Sequence, residues 1–114
     1  MAYLKYYSGQ FLLRIEDDLI KEYSGKILYK IDGNYVKTFS GTILYKTDGN
    51  YIKDFSGKIL LNVTYDQIKE FSGTIIAKFD STYIKDFSGM IRYKIDGFLS
   101  RRQMLALIAI LYAS

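Results

Sequence analysis

Six lysines stand at a fixed spacing of sixteen residues: Lys5, Lys21, Lys37, Lys53, Lys69 and Lys85. A second row keeps the same period with Lys30, Lys46, Lys78 and Lys94, Arg14 taking the corresponding place early in the chain. Tyr3, Tyr35, Tyr51 and Tyr83 accompany them. Ammonium groups repeated on one side of a protein attract polyanions, and their fields add over the patch. Anionic lipid headgroups and nucleic acid both answer to that chemistry. No glycine-rich phosphate loop opens a helix and no RNA-binding signature is present, which ranks nucleic acid below a membrane surface. The competing role is solubility alone, because lysines on exposed strands block aggregation and their stems cover aromatic rings.

Other chemistry is poorly supplied. The chain of 114 residues contains no histidine and no cysteine, so the commonest general base, the thiolate nucleophile and the commonest metal ligands are missing. Carboxylates, lysines, serines and tyrosines remain, yet each recurs with the repeat and no unit holds a singular acid–base–nucleophile group. The expectation is a non-enzymatic protein with no catalytic residue, no metal site and no cofactor. The Asp-Gly-Asn segments lack the closing glutamate of a calcium loop and read as turns. The acidic set Glu22, Asp54, Glu70 and Asp86 has the chemistry to hold a cation, but cross-strand pairing with nearby lysines is the simpler account.

The same period organises the backbone. Ser-Gly recurs at Ser8-Gly9, Ser24-Gly25, Ser40-Gly41, Ser56-Gly57, Ser72-Gly73 and Ser88-Gly89 without insertion or deletion. Such regularity marks one small unit copied many times. In the unit starting at Phe39, the β-type runs Thr42–Thr47 and Tyr51–Phe55 flank Asp48-Gly49-Asn50, a strong hairpin signal. Ser-Gly supplies the turn at the other end. Glycines every eight or sixteen residues exclude a helical reading. The chain opens on a second-strand sequence, Tyr3–Tyr7, and Met90–Ile95 is a first strand with no partner after it. Pairing those two segments completes a sixth hairpin across the termini. The predicted fold is therefore all-β with one C-terminal helix: a closed, twelve-stranded, antiparallel up-and-down barrel of six hairpin repeats, closure being the one device that removes edge strands altogether. Two-residue turns at both ends of every hairpin would leave no stagger, so longer loops or bulged strands are expected.

Alternation assigns the faces. The inner face is expected to take the row Phe11, Ile27, Ile43, Ile59, Ile75 and Ile91, then the rows through Tyr29 and Ile31, with Leu4, Ile20, Val36, Ile52, Ile68 and Ile84 from second strands. The outer face receives fourteen of the sixteen basic residues, and within strands none of the twelve acids is expected there. Burying so many unpaired ammonium groups is prohibitive, which turns that face to water.

The last segment differs. After Ser100, a plausible N-cap, residues 101–112 are rich in helix formers and apolar nearly all round from Met104 onward. The run Met104 to Ala113 is half the length of a membrane span of about twenty residues. A ring of twelve strands leaves a bore that wants filling, so residues 98–114 are assigned to the lumen of the barrel formed by residues 1–97. Leu105, Leu107, Ile108, Ile110 and Leu111 are expected to pack there, with Arg101 and Arg102 near a rim carrying Asp32, Asp48, Asp80 and Asp96. The rival placements are a tail dipping into a membrane surface and one exchanged with a second copy. The first residues carry no apolar leader core, so a single cytoplasmic domain is expected; oligomeric state is open.

The repeat Tyr51-Ile52-Lys53-Asp54-Phe55-Ser56-Gly57-Lys58-Ile59-Leu60, copied with small changes over residues 1–98, resembles that of the β-flower proteins, small bacterial repeat proteins in which short hairpins close into a shallow symmetric barrel. The resemblance implies a flower-like barrel, often with an apolar C-terminal segment, and no established biochemical activity. Such barrels are similar to the Tubby-like and scramblase-type barrels, which wrap twelve strands around a central helix and include members that bind phosphoinositide membranes. That is analogy of fold and transfers no function by itself. The chain departs from the pattern at Glu16-Asp17-Asp18 and Thr64-Tyr65-Asp66, where other units have Asp-Gly-Asn or a close variant.

Overall fold

The computed structural model describes residues 1–113. Twelve strands run in chain order: β1 Ala2–Tyr6, β2 Phe11–Glu16, β3 Leu19–Glu22, β4 Ile27–Asp32, β5 Tyr35–Thr38, β6 Ile43–Asp48, β7 Tyr51–Asp54, β8 Ile59–Val63, β9 Gln67–Glu70, β10 Ile75–Phe79, β11 Tyr83–Asp86 and β12 Ile91–Asp96. One helix, α1, spans Arg101–Tyr112. Every strand pairs antiparallel with its sequence neighbours, and β1 pairs with β12 to close the barrel. The seam places Tyr3 opposite Asp96 and Leu4 opposite Ile95. The result is a short, broad ring, 36 × 34 Å across and 20 Å tall.

Both kinds of turn are tight. At the Asp-Gly-Asn end, Asp32 pairs with Tyr35 and Asp48 with Tyr51, leaving two-residue loops whose first residue, Gly33 or Gly49, has φ of 57° or 60°. This is the positive-φ-first pattern of a type II′ turn. At the Ser-Gly end, the Gly25 N–H donates to the Glu22 carbonyl and the Glu22 N–H to the Lys26 carbonyl, with Gly25 at φ 101°. That is a type I turn closed by a glycine bulge, and it recurs in the other units.

Stagger comes from a second bulge in each first strand. Ile20 faces Tyr29 while Lys21 faces Ile27, so Leu28 is extra. The same shift occurs at Leu4/Lys5, Val36/Lys37, Ile52/Lys53, Ile84/Lys85 and, in β10, between Ile75 and Ala77. A one-residue insertion turns the side chains beyond it to the other face. The expectation that Ile27, Ile43, Ile59, Ile75 and Ile91 line the lumen is therefore corrected. They sit opposite the outer lysines, and Ile43 and Ile91 are exposed. Leu12, Leu28, Leu60 and Ile76, at the bulges, pack on the core instead.

The core is otherwise as alternation dictates. Leu4, Ile20, Val36, Ile52, Ile68 and Ile84 are fully buried and meet Leu13, Ile15, Ile31, Leu61, Val63 and Ile95 around the helix. Helix α1 fills the lumen: Met104 to Ala109 are buried, Leu105 and Ile108 among them, and Ile110, Leu111 and Tyr112 lie half-buried against the same cluster. Twelve residues make a rod of about 18 Å, which matches the height of the wall. Ser100 caps the helix reciprocally with Gln103. Gly97, at φ 106°, turns the chain inward beside the first residues. A Cβ there would lie 2.8 Å from the Met1 carbonyl oxygen and 3.0 Å from the Ala2 Cα.

Candidate functional site

The alternation that buries Leu4, Ile20 and their equivalents places Lys5, Lys21, Lys37, Lys53, Lys69 and Lys85 on the outside, one per hairpin, halfway up the wall. Each faces the displaced row across the strand pair: Lys5 opposite Phe11, Lys21 opposite Ile27, Lys53 opposite Ile59. The Lys5 ammonium stands 4.6 Å over the Phe11 ring, and the lysine stems lie along apolar surface, as long cationic side chains do. Nearer the Asp-Gly-Asn end, the second cationic row meets the tyrosines. Lys46 is opposite Tyr35, Lys94 opposite Tyr83 and Lys30 opposite Leu19; Tyr51 faces Asn62, and Lys78 faces Gln67. Lys37 and Lys46 approach the Tyr35 ring at 6.0 and 5.9 Å, and Lys85 approaches Tyr83 at 6.0 Å.

This wall is not free of acids. Glu16, Asp32, Asp48 and Asp96 close their strands with side chains on the outer face, because each follows an inward residue such as Ile31 or Ile95. They pair with Lys21 (3.2 Å), Lys37 (2.7 Å), Lys53 (2.9 Å) and Lys5 (3.0 Å). The hydrogen bond from Lys37, reinforced by its charge, holds the Asp32 carboxyl below the usual carboxylate range, and Lys53 does the same to Asp48. Exposed pairs of this kind are screened by water and salt, so they exchange partners readily. In the fourth unit Thr64 stands where the acid would be, and Lys69 has no carboxylate within 4 Å among the described residues. Asp80 turns to its own loop, accepting from the Tyr83 and Thr82 N–H groups, which lower its pKa, Tyr83 the more, and leaves Lys85 without a pair among the described residues. Lys30, Lys46, Lys78 and Lys94 are likewise unpaired among the described residues.

The acids of the Ser-Gly end serve the turns. Asp54 accepts from the Ser56 hydroxyl and from the Ser56 and Lys58 N–H groups, and Asp86 accepts likewise from Ser88 and Met90. These bonds, the serine hydroxyl's first, hold both carboxyls low. Glu22 and Glu70 take the hydroxyls of Ser24 and Ser72. Lysine pairing is therefore not what occupies this ring. Among the described residues no group of three or more His, Cys, Asp or Glu side chains is arranged to hold a metal.

At the other mouth, a cleft of about 600 Å³ opens beside the start of α1, lined by Tyr65, Phe79, Leu99, Arg101 and Met104. Arg101 donates to the Val63 and Thr64 carbonyls and to Asn50, and burial lowers its pKa. Arg102 pairs with Asp18 and its charge also acts on Asp32, so both arginines sit at the Asp-Gly-Asn rim as expected. Both guanidinium groups are used in anchoring the helix, and the cleft presents no free cation to an anionic ligand.

One set of residues escapes a reading based on lysines. Tyr7, Tyr23, Phe39, Phe55, Phe71 and Phe87 each precede Ser-Gly and point into solvent at one end of the ring. Their period was visible in the sequence; their shared exposure required the turn geometry.

No family model, curated protein or solved structure matches this chain. Among the described residues no helix is long and apolar enough to cross a membrane.

Proposed function

We propose that the chain is a non-enzymatic binding module of the β-flower type whose outer Lys/Tyr wall contacts anionic membrane surfaces. The observation that supports this most directly is the set Lys30, Lys46, Lys69, Lys78, Lys85 and Lys94, six cations of the wall with no carboxylate in ion-pair reach among the described residues. Each lysine close to an anionic bilayer contributes about 1 kcal/mol. Weak, reversible attachment takes most of the six acting together. The overall charge of +4 acts in the same direction.

The four pairs made by Lys5, Lys21, Lys37 and Lys53 favour the other reading, in which the lysines only keep the wall soluble. Co-sedimentation with vesicles separates the two. Vesicles of phosphatidylcholine with about one third phosphatidylserine are expected to carry the protein down at low ionic strength and to release it as salt screens the charges, while phosphatidylcholine alone does not bind it. Indifference to phosphatidylserine, or no binding at all, assigns the lysines to solubility.

A further inference from the structure

We infer that the ring stands on end on the bilayer, its Ser-Gly rim inserting six aromatic side chains at headgroup depth while the collar of lysines behind them meets the lipid phosphates. The inference rests on the membrane reading above and adds an orientation and an apolar contact that the lysine wall alone does not supply.

Tyr7, Tyr23, Phe39, Phe55, Phe71 and Phe87 are between 61% and 75% exposed, and none belongs to the core or packs against it. Scattered exposed apolar residues need no explanation. Here six large rings occupy the same place in six successive turns, so the up-and-down topology gathers them on one rim. Below them lies the outward aliphatic row, with Met90, Phe11, Ile43 and Ile91 also exposed. One end of the ring thus carries apolar side chains on its outside; tyrosine settles at a membrane–water interface, and phenylalanine is among the apolar side chains that interfacial elements insert.

Depth follows from strand geometry. The crown residue lies two positions beyond the collar lysine, as Tyr23 beyond Lys21, the second step entering the turn, so the two lie at most about 7 Å apart along the chain. Interfacial amphipathic elements bury themselves about 5–10 Å into the headgroup and acyl boundary. When the crown is inserted, Lys69 and Lys85, which have no carboxylate in reach among the described residues, meet the phosphates directly, and Lys5, Lys21, Lys37 and Lys53 do so by exchanging Asp96, Glu16, Asp32 and Asp48 for lipid. Deeper entry is opposed by the cost of taking ammonium groups into hydrocarbon.

Charge selects the same end. Eight of the twelve carboxylates lie in or beside the Asp-Gly-Asn turns and their equivalents, whereas the four at the Ser-Gly rim are turned onto serine hydroxyls and turn N–H groups. Seven of the sixteen basic residues stand near the first end and balance its eight acids to within one charge, whereas nine stand against four in the Ser-Gly half, so an anionic surface is drawn to the second end. Contact along the side reaches few lysines, because the ring is 34–36 Å wide and screening confines the attraction to about 8 Å. Standing on the rim brings the whole collar to one depth.

The chain has no tryptophan, which makes single reporters unambiguous. With the phosphatidylcholine/phosphatidylserine vesicles, Phe55→Trp is expected to shift its emission to the blue and to be quenched by brominated acyl chains; Tyr51→Trp, toward the opposite end, is not. The fourfold variant Phe39→Ser, Phe55→Ser, Phe71→Ser, Phe87→Ser is expected to lose about tenfold or more in vesicle partitioning, with circular dichroism and melting temperature unchanged because those rings lie outside the core. If the unaltered protein binds no vesicle, the membrane reading falls and this inference with it. If it binds, but Tyr51→Trp is the quenched reporter or the fourfold variant binds as well as the parent, the orientation alone is overturned. If the free protein is an oligomer that the fourfold variant dissociates, the crown's occupant is a second copy, and the inference is also overturned. Should the fourfold variant fail to fold, the two tryptophan reporters still decide.

Discussion

Asp17 has φ 53° in the turn position that Gly33 and Gly49 hold at 57° and 60°. The left-handed region costs an L side chain about 1–2 kcal/mol, less for aspartate because its short side chain bonds locally. Asp17→Gly removes that strain and pays back part of it as entropy of the unfolded chain. A gain of about 0.5–1 kcal/mol is expected, seen as a later urea midpoint with an unchanged slope. An equal or earlier midpoint would show that the carboxylate contributes more than its conformation costs. The departure of this unit from Asp-Gly-Asn was legible at once. That the chain tolerates it with an unchanged two-residue loop, Glu16 opposite Leu19, was not.

The elements divide into those whose pattern names their environment and those whose pattern misleads. Helix α1 is of the first kind: its run of apolar residues has no polar face to give to solvent, and Leu107 and Ile108 are completely buried. The first strands are of the second kind. Their isoleucines fall in step with the inward residues, but the bulge at each unit reverses them, and Ile43 is 38% exposed. Leu107→Ala is therefore expected to cost about 2–5 kcal/mol, whereas Ile43→Ala should cost less than about 1 kcal/mol. Chemical denaturation of the two variants side by side checks both statements. Comparable losses would mean that the aliphatic row is structural core after all.

Closure belongs to the whole molecule. Strand β1 is held by β2 on one side and β12 on the other, and beyond its end the Tyr7 N–H reaches the Arg92 carbonyl at 3.0 Å. Without residues 1–7, the edges of β2 and β12 are left unpaired over a row of apolar side chains. Such edges recruit other chains. The shortened chain is expected to self-associate with rising concentration in sedimentation velocity, or to fail to fold. A monomer that melts with the intact chain would show that the seam contributes nothing. At the same scale, the axial arrangement of aromatic crown, lysine collar and acidic turns exists only once six hairpins share one axis.

From its residues alone the chain determines the hairpin period, the strand count, the pairing of its two ends and the apolar helix that fills the ring, because turn chemistry and hydrophobic alternation act over a few residues and repeat without error. The lysine and tyrosine rows were legible for the same reason. Tertiary structure alone decided three other matters: that Leu28 and its equivalents turn inward and Ile27 outward, that Asp32, Asp48, Asp96 and Glu16 reach across to the lysines, and that six aromatic turn residues converge on one rim. The reason is geometric. Closing twelve strands requires a stagger, the stagger is supplied by one extra residue per hairpin, and an inserted residue changes the facing of its neighbours in a way no local pattern reports.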